Sequence, residues 1–473
     1  MSGKKNIVIL GAGVAGLAAG YFLSRSGRYQ VTVLEQSPVT GGMCASFKHE
    51  GFVLDYGPHK LYSAIPGILD EISLLMNDRL LKLPKKNRIY LRGHLLDYPL
   101  RLTNLLKVLG IPGFFKFGMG YVSSVIRGFW DKKPAQSYEE YIIKLFGKPA
   151  YEIIFKPLAE KVWGAPAQLH PDMAKIRVSS SNGLEVILRL LGLKKETKNT
   201  NADFFFYPRR GFGDWPQKLQ EELQTQNGNV FTAVQVKELE RENGHIKTVK
   251  ALINGREQSF LCDYLISSIP LPVLNRLAAA KEKSDSRYEA DRLQFRHLIL
   301  VYVFVKRPFV LTDQWIFFPE KEFVFGRIFE QKQMNPDLGP KDQTAICCDF
   351  TCDEESALWK ADDADLAQKC VEGLARAGFI KSNEITGYLV KRQRNFYPRY
   401  DQQYLEKIQA VNDQLKEVKN LILTGRLGMY NYNNSDHCFD MAKFISENLE
   451  KGINPQEIWS KLEERVRTYR IVD

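Results

Sequence analysis

The sequence predicts an α/β protein in which a Rossmann-like dinucleotide-binding domain is interrupted by a second, α+β domain. Three observations predict it. Lys5–Glu35 runs strand, glycine turn, helix, strand and terminal acid. A second strand, glycine turn and helix occur near the other end, over 421–449. Between them a mainly helical stretch alternates with long apolar strands, more chain than one nucleotide-binding sheet needs.

The first strand, Asn6–Leu10, is a continuous aliphatic run suited to burial on both faces. Gly11-Ala12-Gly13-Val14-Ala15-Gly16 follows as G-x-G-x-x-G, and each glycine has its own task. Gly11 allows the sharp turn, Gly13 lets backbone approach a pyrophosphate, and Gly16 lets the helix pack on the strand. The phosphates then meet free N–H groups and the positive end of the helix dipole at Val14 and Ala15. Glu35, followed by Gln36, closes the strand Val31–Leu34 about 20 residues after the turn, where an acid accepts from a ribose 2′-OH. Its charge would repel a 2′-phosphate, which argues against NADP.

Downstream come Gly41-Gly42-Met43 and Gly51–His59, the latter ending Gly57-Pro58-His59. A glycine pair alone is a turn. In this order the segments resemble the FAD superfamily that contains monoamine oxidases, protoporphyrinogen oxidases, phytoene desaturases and UDP-galactopyranose mutases. The resemblance implies a GR2-type FAD-binding domain with an interleaved α+β substrate domain. It implies FAD contacts at Gln36, Gly41, Gly42, Met43, Gly57, Pro58 and His59. The expected boundaries are 1–75, 204–275 and 415–473 for the FAD domain. The substrate domain takes 76–203 and 276–414, with a helical part at about 100–200.

The chain has 473 residues and a net charge of +11, which suits anionic ligands or acidic lipid headgroups. No dense Lys/Arg block with interleaved aromatics is present, so nucleic acid is not expected. Seven scattered cysteines form no paired CxxC, which predicts no metal and reduced thiols in a cytoplasmic protein. Met1 leads through two lysines into a strand the fold needs, so a cleaved signal peptide is not expected. The apolar stretch 109–130 is broken by Pro112, Lys116 and several glycines and is too interrupted to span a bilayer. The pattern favours a buried helix pair or lid. The alternative is peripheral contact with the inner membrane surface, since Lys107, Arg127, Lys132 and Lys133 flank it.

Along the chain, Ile68–Leu75 predicts a helix and Arg88–Pro99 a hairpin about Arg92-Gly93. From 102 to 191 the pattern is mainly helical, with Ser137-Tyr138-Glu139-Glu140 as a capping-box start. Tyr151–Pro157 and Glu160–Gly164 resemble segments of UDP-galactopyranose mutase relatives, although by spacing Trp163 is a core residue. Phe204–Trp215 resembles the return to the cofactor domain. A helix from Asp214 and a strand over 231–236 follow, and the resemblance implies that the Val236 backbone meets adenine. Lys247–Leu252, Glu257–Leu261 and Tyr264–Ser268 predict one small sheet. Long strands are expected at 297–305, 315–318, 323–329 and 344–350, with Arg327 among apolar neighbours. Arg394–Tyr400 resembles a strand entering the pocket and brings Tyr397 and Arg399 into play.

The return at 421–437 holds Gly425, Arg426, Tyr432, Asn433 and Asn434, which the resemblance places on the cofactor, and a helix over 436–449 aimed at the flavin. Amine oxidases commonly have an acid after that glycine. Arg426 is closer to the mutase pattern. The resemblance implies an FAD-dependent oxidoreductase passing hydride or electrons from a small organic substrate to flavin N5, with oxygen, a quinone or another carrier reoxidising it. The substrate is left open between a nucleotide sugar and an apolar ring compound. The alternative is a mutase-like nucleotide-sugar isomerase using reduced FAD in cell-surface polysaccharide synthesis, with Arg327, Arg399 and Arg426 clamping a diphosphate. A non-catalytic binding role, as in Rab escort proteins, is opposed by the intact glycine turn and Glu35. The candidate catalytic residues are His59, Arg327, Tyr397 and Arg399. His59 and His437 could equally be satisfied structural histidines. Oligomeric state has no signature in the sequence.

Overall fold

The computed structural model describes residues 4–98, 102–177, 204–278 and 290–471. Its first layer is a five-stranded parallel sheet ordered Leu421–Leu423, Tyr264–Ser267, Lys5–Leu10, Tyr29–Leu34, Asn229–Phe231. Lys5–Leu10 is central, with Ile9 opposite both Ile266 and Val33. Its last four residues are buried, as an aliphatic run with both faces covered requires. The helix Val14–Arg25 lies on this sheet and is buried from Val14 to Ser24. It packs so closely on Asp214–Thr225 that a Cβ at Gly20 would stand 2.1 Å from Leu223 Cδ1.

The strand Tyr264–Ser267 departs from expectation. It belongs to the five-stranded sheet, while the small antiparallel sheet consists of Val234–Glu242, His245–Ile253 and Arg256–Leu261. Burial separates the two. Arg256–Leu261 is exposed at all but one position, whereas Leu265, Ile266 and Ser267 are wholly buried and need cover on both faces.

The second layer is a seven-stranded sheet ordered Ile385–Pro398, Phe295–Val305, Thr344–Cys352, Arg327–Glu330, Trp315–Phe317, Asn87–Leu91, His94–Asp97. The hairpin turns through Arg92 (φ 51°) and Gly93 (φ 77°), both left-handed as a two-residue turn demands. The strand expected over 323–329 begins only at Arg327. Phe323 and Phe325 instead pack on Phe318, each ring centroid 4.9 Å away. Lys161 Nζ donates to the carbonyls of Phe318 (2.7 Å) and Phe325 (2.8 Å), holding this segment as a turn.

The helical pattern expected over 178–191 lies outside the described residues. Leu102–Trp130 is helical and kinked at Gly110 (φ 65°), two residues before Pro112. The expectation of a buried helix pair is overturned there. Tyr121 and Ser124 face the protein, while Ile111, Phe115, Met119, Val122 and Ile126 are exposed. Among the described residues no helix is long and apolar enough to cross a membrane, and no cluster of side chains could hold a metal. All seven cysteines are buried free thiols.

Candidate cofactor and substrate site

Three glycine segments, far apart in the chain, meet at one helix N-terminus. Gly11 takes φ +95°, and a Cβ there would lie 2.5 Å from Ser268 Oγ. A Cβ at Gly16 would come within 1.9 Å of the Gly11 carbonyl oxygen. Gly13 differs: it caps the helix Val14–Arg25, and a Cβ there would meet nothing within 4 Å. The Gly41 amide donates to Ala12 O at 2.7 Å, and a Cβ at Gly42 would stand 3.3 Å from Gly13 Cα. From the far end of the chain, Gly425 (φ +77°) packs where a Cβ would be 2.7 Å from the Ala15 Cβ. Close packing therefore surrounds an open space at Gly13, the cradle a pyrophosphate requires.

Glu35 stands at one end of this cradle, half-buried. Its carboxylate accepts from the Ala12 amide (2.7 Å) and the Ser37 amide (2.8 Å). Its carbonyl accepts from Val234 N (2.9 Å), which starts the strand containing Val236. Val236 pairs with Ala251 at a register shift and so lies close along the chain from the acid. Gln36 is exposed.

The other end is lined by Gly57, Pro58 and His59. Gly57 is left-handed (φ +113°) with open space at its missing Cβ. His59 stacks on Phe212, centroids 4.7 Å apart, and its Nε2 is buried with no protein partner. Burial, and then the charges of Arg426 and Arg327, press its pKa down to about 3, so the ring is neutral at physiological pH. Asp55 anchors the preceding strand through bonds from Phe212 N (3.0 Å), Ser46 Oγ and Tyr207 Oη. Its carboxyl is pushed up by burial, which those hydrogen bonds only partly offset.

Near His59 lies a cluster of aromatic rings and guanidinium groups. Tyr397 and Tyr432 are stacked, centroids 5.2 Å apart. Arg426 lies over both, 5.3 Å and 5.5 Å from their centroids, while its Nε donates to Asn433 O at 2.8 Å. Its Nη1 lies 3.7 Å from Met43 Sδ. Burial, reinforced by Tyr432, pushes the Tyr397 hydroxyl up to about 12 against the opposing charges of Arg327 and Arg426. Arg327 is fixed by Asp349 at 2.7 Å and sits 6.0 Å from the Phe317 ring. Burial raises the Asp349 pKa, and Arg327 opposes that rise.

Two members of this cluster are not assigned to it by sequence reasoning. Arg177 donates to Tyr432 Oη at 2.9 Å and lies 5.2 Å from the Trp163 ring. Trp163 carried a signal in the Glu160–Gly164 resemblance, whereas no motif marks Arg177. Arg399 goes elsewhere: its Nη2 lies 3.2 Å from where a Gly164 Cβ would stand, and its Nη1 is 3.8 Å from Asp353. His437 accepts from the Asn434 amide (3.1 Å), capping its own helix Ser435–Glu450, and stacks on Tyr469. Cys438 is a buried thiol donating to Asn433 Oδ1 at 3.4 Å, with its pKa raised by burial to about 11.

A parallel sheet with a glycine turn at one helix N-terminus, beside a cluster of arginines and tyrosines, is the arrangement of a flavin-dependent enzyme. The chain belongs to the flavin containing amine oxidoreductase family, whose model matches residues 14–431. It is a flavin-dependent enzyme that binds a small-molecule substrate. It is 23% identical to the 15-cis-phytoene desaturase of Synechococcus elongatus, over 66% of this chain and 68% of that protein. It is 25% identical to the coproporphyrinogen III oxidase of Bacillus subtilis, over 34% of this chain and 37% of that protein. Its fold matches that of a reduced UDP-galactopyranose mutase, with a TM-score of 0.82, 20% identity and 98% and 99% of the two chains covered.

Proposed function

We propose that this chain is an FAD-dependent oxidoreductase acting on an anionic organic molecule held beside Arg327, Arg177 and Arg426. The observation that carries the reading is the open position at Gly13, ringed by glycines that admit no side chain. The diphosphate of FAD would lie over Gly11, Gly13, Val14, Ala15 and Gly16, with its ribose on Glu35 and its adenine along Val236. Gly41, Gly42, Met43, Gly57, Pro58, Gly425, Tyr432, Asn433 and Asn434 would line the remainder. Residues 1–75, 204–275 and 415–473 would form the cofactor domain, with 76–203 and 276–414 as the substrate domain. The seven unpaired thiols support a reducing, cytoplasmic setting.

When bound, the flavin supplies the acceptor for hydride or electrons. The protein supplies position and polarity. Neutral His59 offers its free Nε2 for one hydrogen bond to the ring edge. Asp349 fixes Arg327, so that the guanidinium meets a substrate anion without reorganising. Tyr397 stays a neutral phenol, able to donate or accept as the substrate demands.

One observation favours a second reading. Two guanidinium groups over two stacked tyrosines, with the charge of Arg327 acting on Tyr397, suit a diphosphate flanked by a base and a sugar, so a nucleotide-sugar isomerase working on reduced FAD is the alternative. Anaerobic flavin spectroscopy separates the two. The oxidoreductase reading expects a substrate from a panel of porphyrinogens, polyenes, amines and UDP-sugars to bleach the visible absorbance of the oxidised flavin. Turnover of a UDP-sugar only after dithionite reduction, with no bleaching by any compound, would replace it with the isomerase. A colourless preparation that releases no FAD on denaturation would remove both.

A further inference from the structure

Among the described residues, half of the conspicuously exposed large apolar side chains lie on one element. Leu106, Ile111, Phe115, Met119, Val122, Val125, Ile126 and Trp130 are all at least 36% exposed, and Trp130 reaches 86%. Ile111, Phe115, Met119, Val122 and Ile126 recur every three or four residues, so they form one continuous stripe after the Gly110 kink. The opposite side of the helix is the one that packs: Tyr121 and Ser124 are buried, and a Cβ at Gly120 would lie 2.4 Å from Pro149. Among the described residues the stripe is therefore a surface left over after the helix has packed on its own protein. Phe114, Phe115, Met119, Val122 and Ile126 also wall a shallow open groove of about 720 Å³.

Charge decides what covers it. Lys107, Lys116, Arg127, Lys132 and Lys133 are exposed around the stripe. The single acid between 102 and 133, Asp131, is already paired with Lys144 at 2.9 Å. A second copy laid on the same face would bring two such cationic rims together, and an apolar protein partner would leave the lysines unpaired. An anionic bilayer answers both needs: acyl chains take the apolar stripe, headgroup phosphates take the cations, and Trp130 sits at the boundary where its ring is favoured.

We infer that the helical face Ile111–Trp130 docks the protein on an anionic lipid surface, lying in the interface rather than crossing it. Binding of this kind does not depend on the proposed reaction, so it is tested without turnover. The purified flavin-loaded protein is sedimented with phosphatidylglycerol/phosphatidylcholine vesicles and, separately, with pure phosphatidylcholine vesicles, at low and high salt. The expected result is at least tenfold tighter binding to the anionic vesicles, weakened by salt. Met119→Asp with Ile126→Asp should lower that affinity at least tenfold while leaving flavin content and the thermal midpoint unchanged. Lys116→Glu with Arg127→Glu should abolish the preference for anionic vesicles. No sedimentation of the wild-type protein with either vesicle overturns the inference, as does full retention of binding by both double variants. A dimer seen by light scattering that the Met119→Asp, Ile126→Asp variant dissociates, without vesicle binding, would also overturn it and assign the face to a second copy.

Discussion

The backbone amide of Ala12 donates to the Glu35 carboxylate at 2.7 Å, joining the glycine turn to the end of the second strand. The acid that would hold a ribose therefore also braces the loop that would hold the phosphates. Glu35→Ala removes both functions. Charge-assisted hydrogen bonds contribute about 2 kcal/mol, so the dissociation constant for FAD should rise by roughly thirtyfold. Titration of the apoprotein with FAD, followed by flavin fluorescence, measures it.

Gly13 and Gly16 belong to one motif but should fail differently. A side chain at Gly13 enters empty space, so Gly13→Val should fold normally and lose the cofactor. At Gly16 a Cβ would collide with the Gly11 carbonyl, so Gly16→Val should disrupt the fold itself. Circular dichroism melting combined with flavin release on denaturation distinguishes the outcomes. A Gly13→Val protein that retains stoichiometric FAD would refute the placement of the pyrophosphate.

His59 supplies a pH signature. Its folded pKa, about 3, lies below the ordinary 6.5, so between those values the unfolded chain binds the extra proton. Its contribution to stability is full above pH 6.5 and is lost as pH falls toward 3. Thermal midpoints of wild type and His59→Gln, measured over that range, should converge as the pH is lowered. Parallel curves would show that the ring is not held neutral.

The hydroxyl of Tyr207 links Asp55 to Gln331 and so ties the strand before His59 to the end of the strand Arg327–Glu330 in the seven-stranded sheet. Tyr207→Phe leaves both partners buried without it. Such loss costs about 1–3 kcal/mol, readable as a lower urea midpoint. Flavin content should hold, because the phenyl ring still fills the core.

The glycine turn was legible because its demands fall on consecutive residues. A turn that admits no side chain forces glycine at Gly11 and Gly16, and a strand covered on both faces forces the aliphatic run Asn6–Leu10. The sheet joined by Tyr264–Ser267 was not legible, since its partners Lys5–Leu10 and Leu421–Leu423 lie far away in the chain and short strands look alike locally. Cations presented the same difficulty. Arg177, Arg327 and Arg399 are alike as residues, yet tertiary packing brings two beside the stacked tyrosines and turns the third toward Gly164 and Asp353. The apolar stretch 109–130 was visible in the sequence, but not that five of its large apolar side chains between 111 and 126 stay exposed along one face among the described residues.

The strand order also sets a timetable for synthesis. Lys5–Leu34 emerges first as a two-stranded parallel unit, but its free edge is closed only by Tyr264–Ser267, and Leu421–Leu423 closes that strand in turn. At roughly 5–20 residues per second, a ribosome needs on the order of ten to fifty seconds between one of these events and the next. Throughout that interval an apolar edge stands unprotected, so the nascent chain should depend on chaperones until its last sixth has been made, and a stalled message should yield aggregates rather than a partly active enzyme.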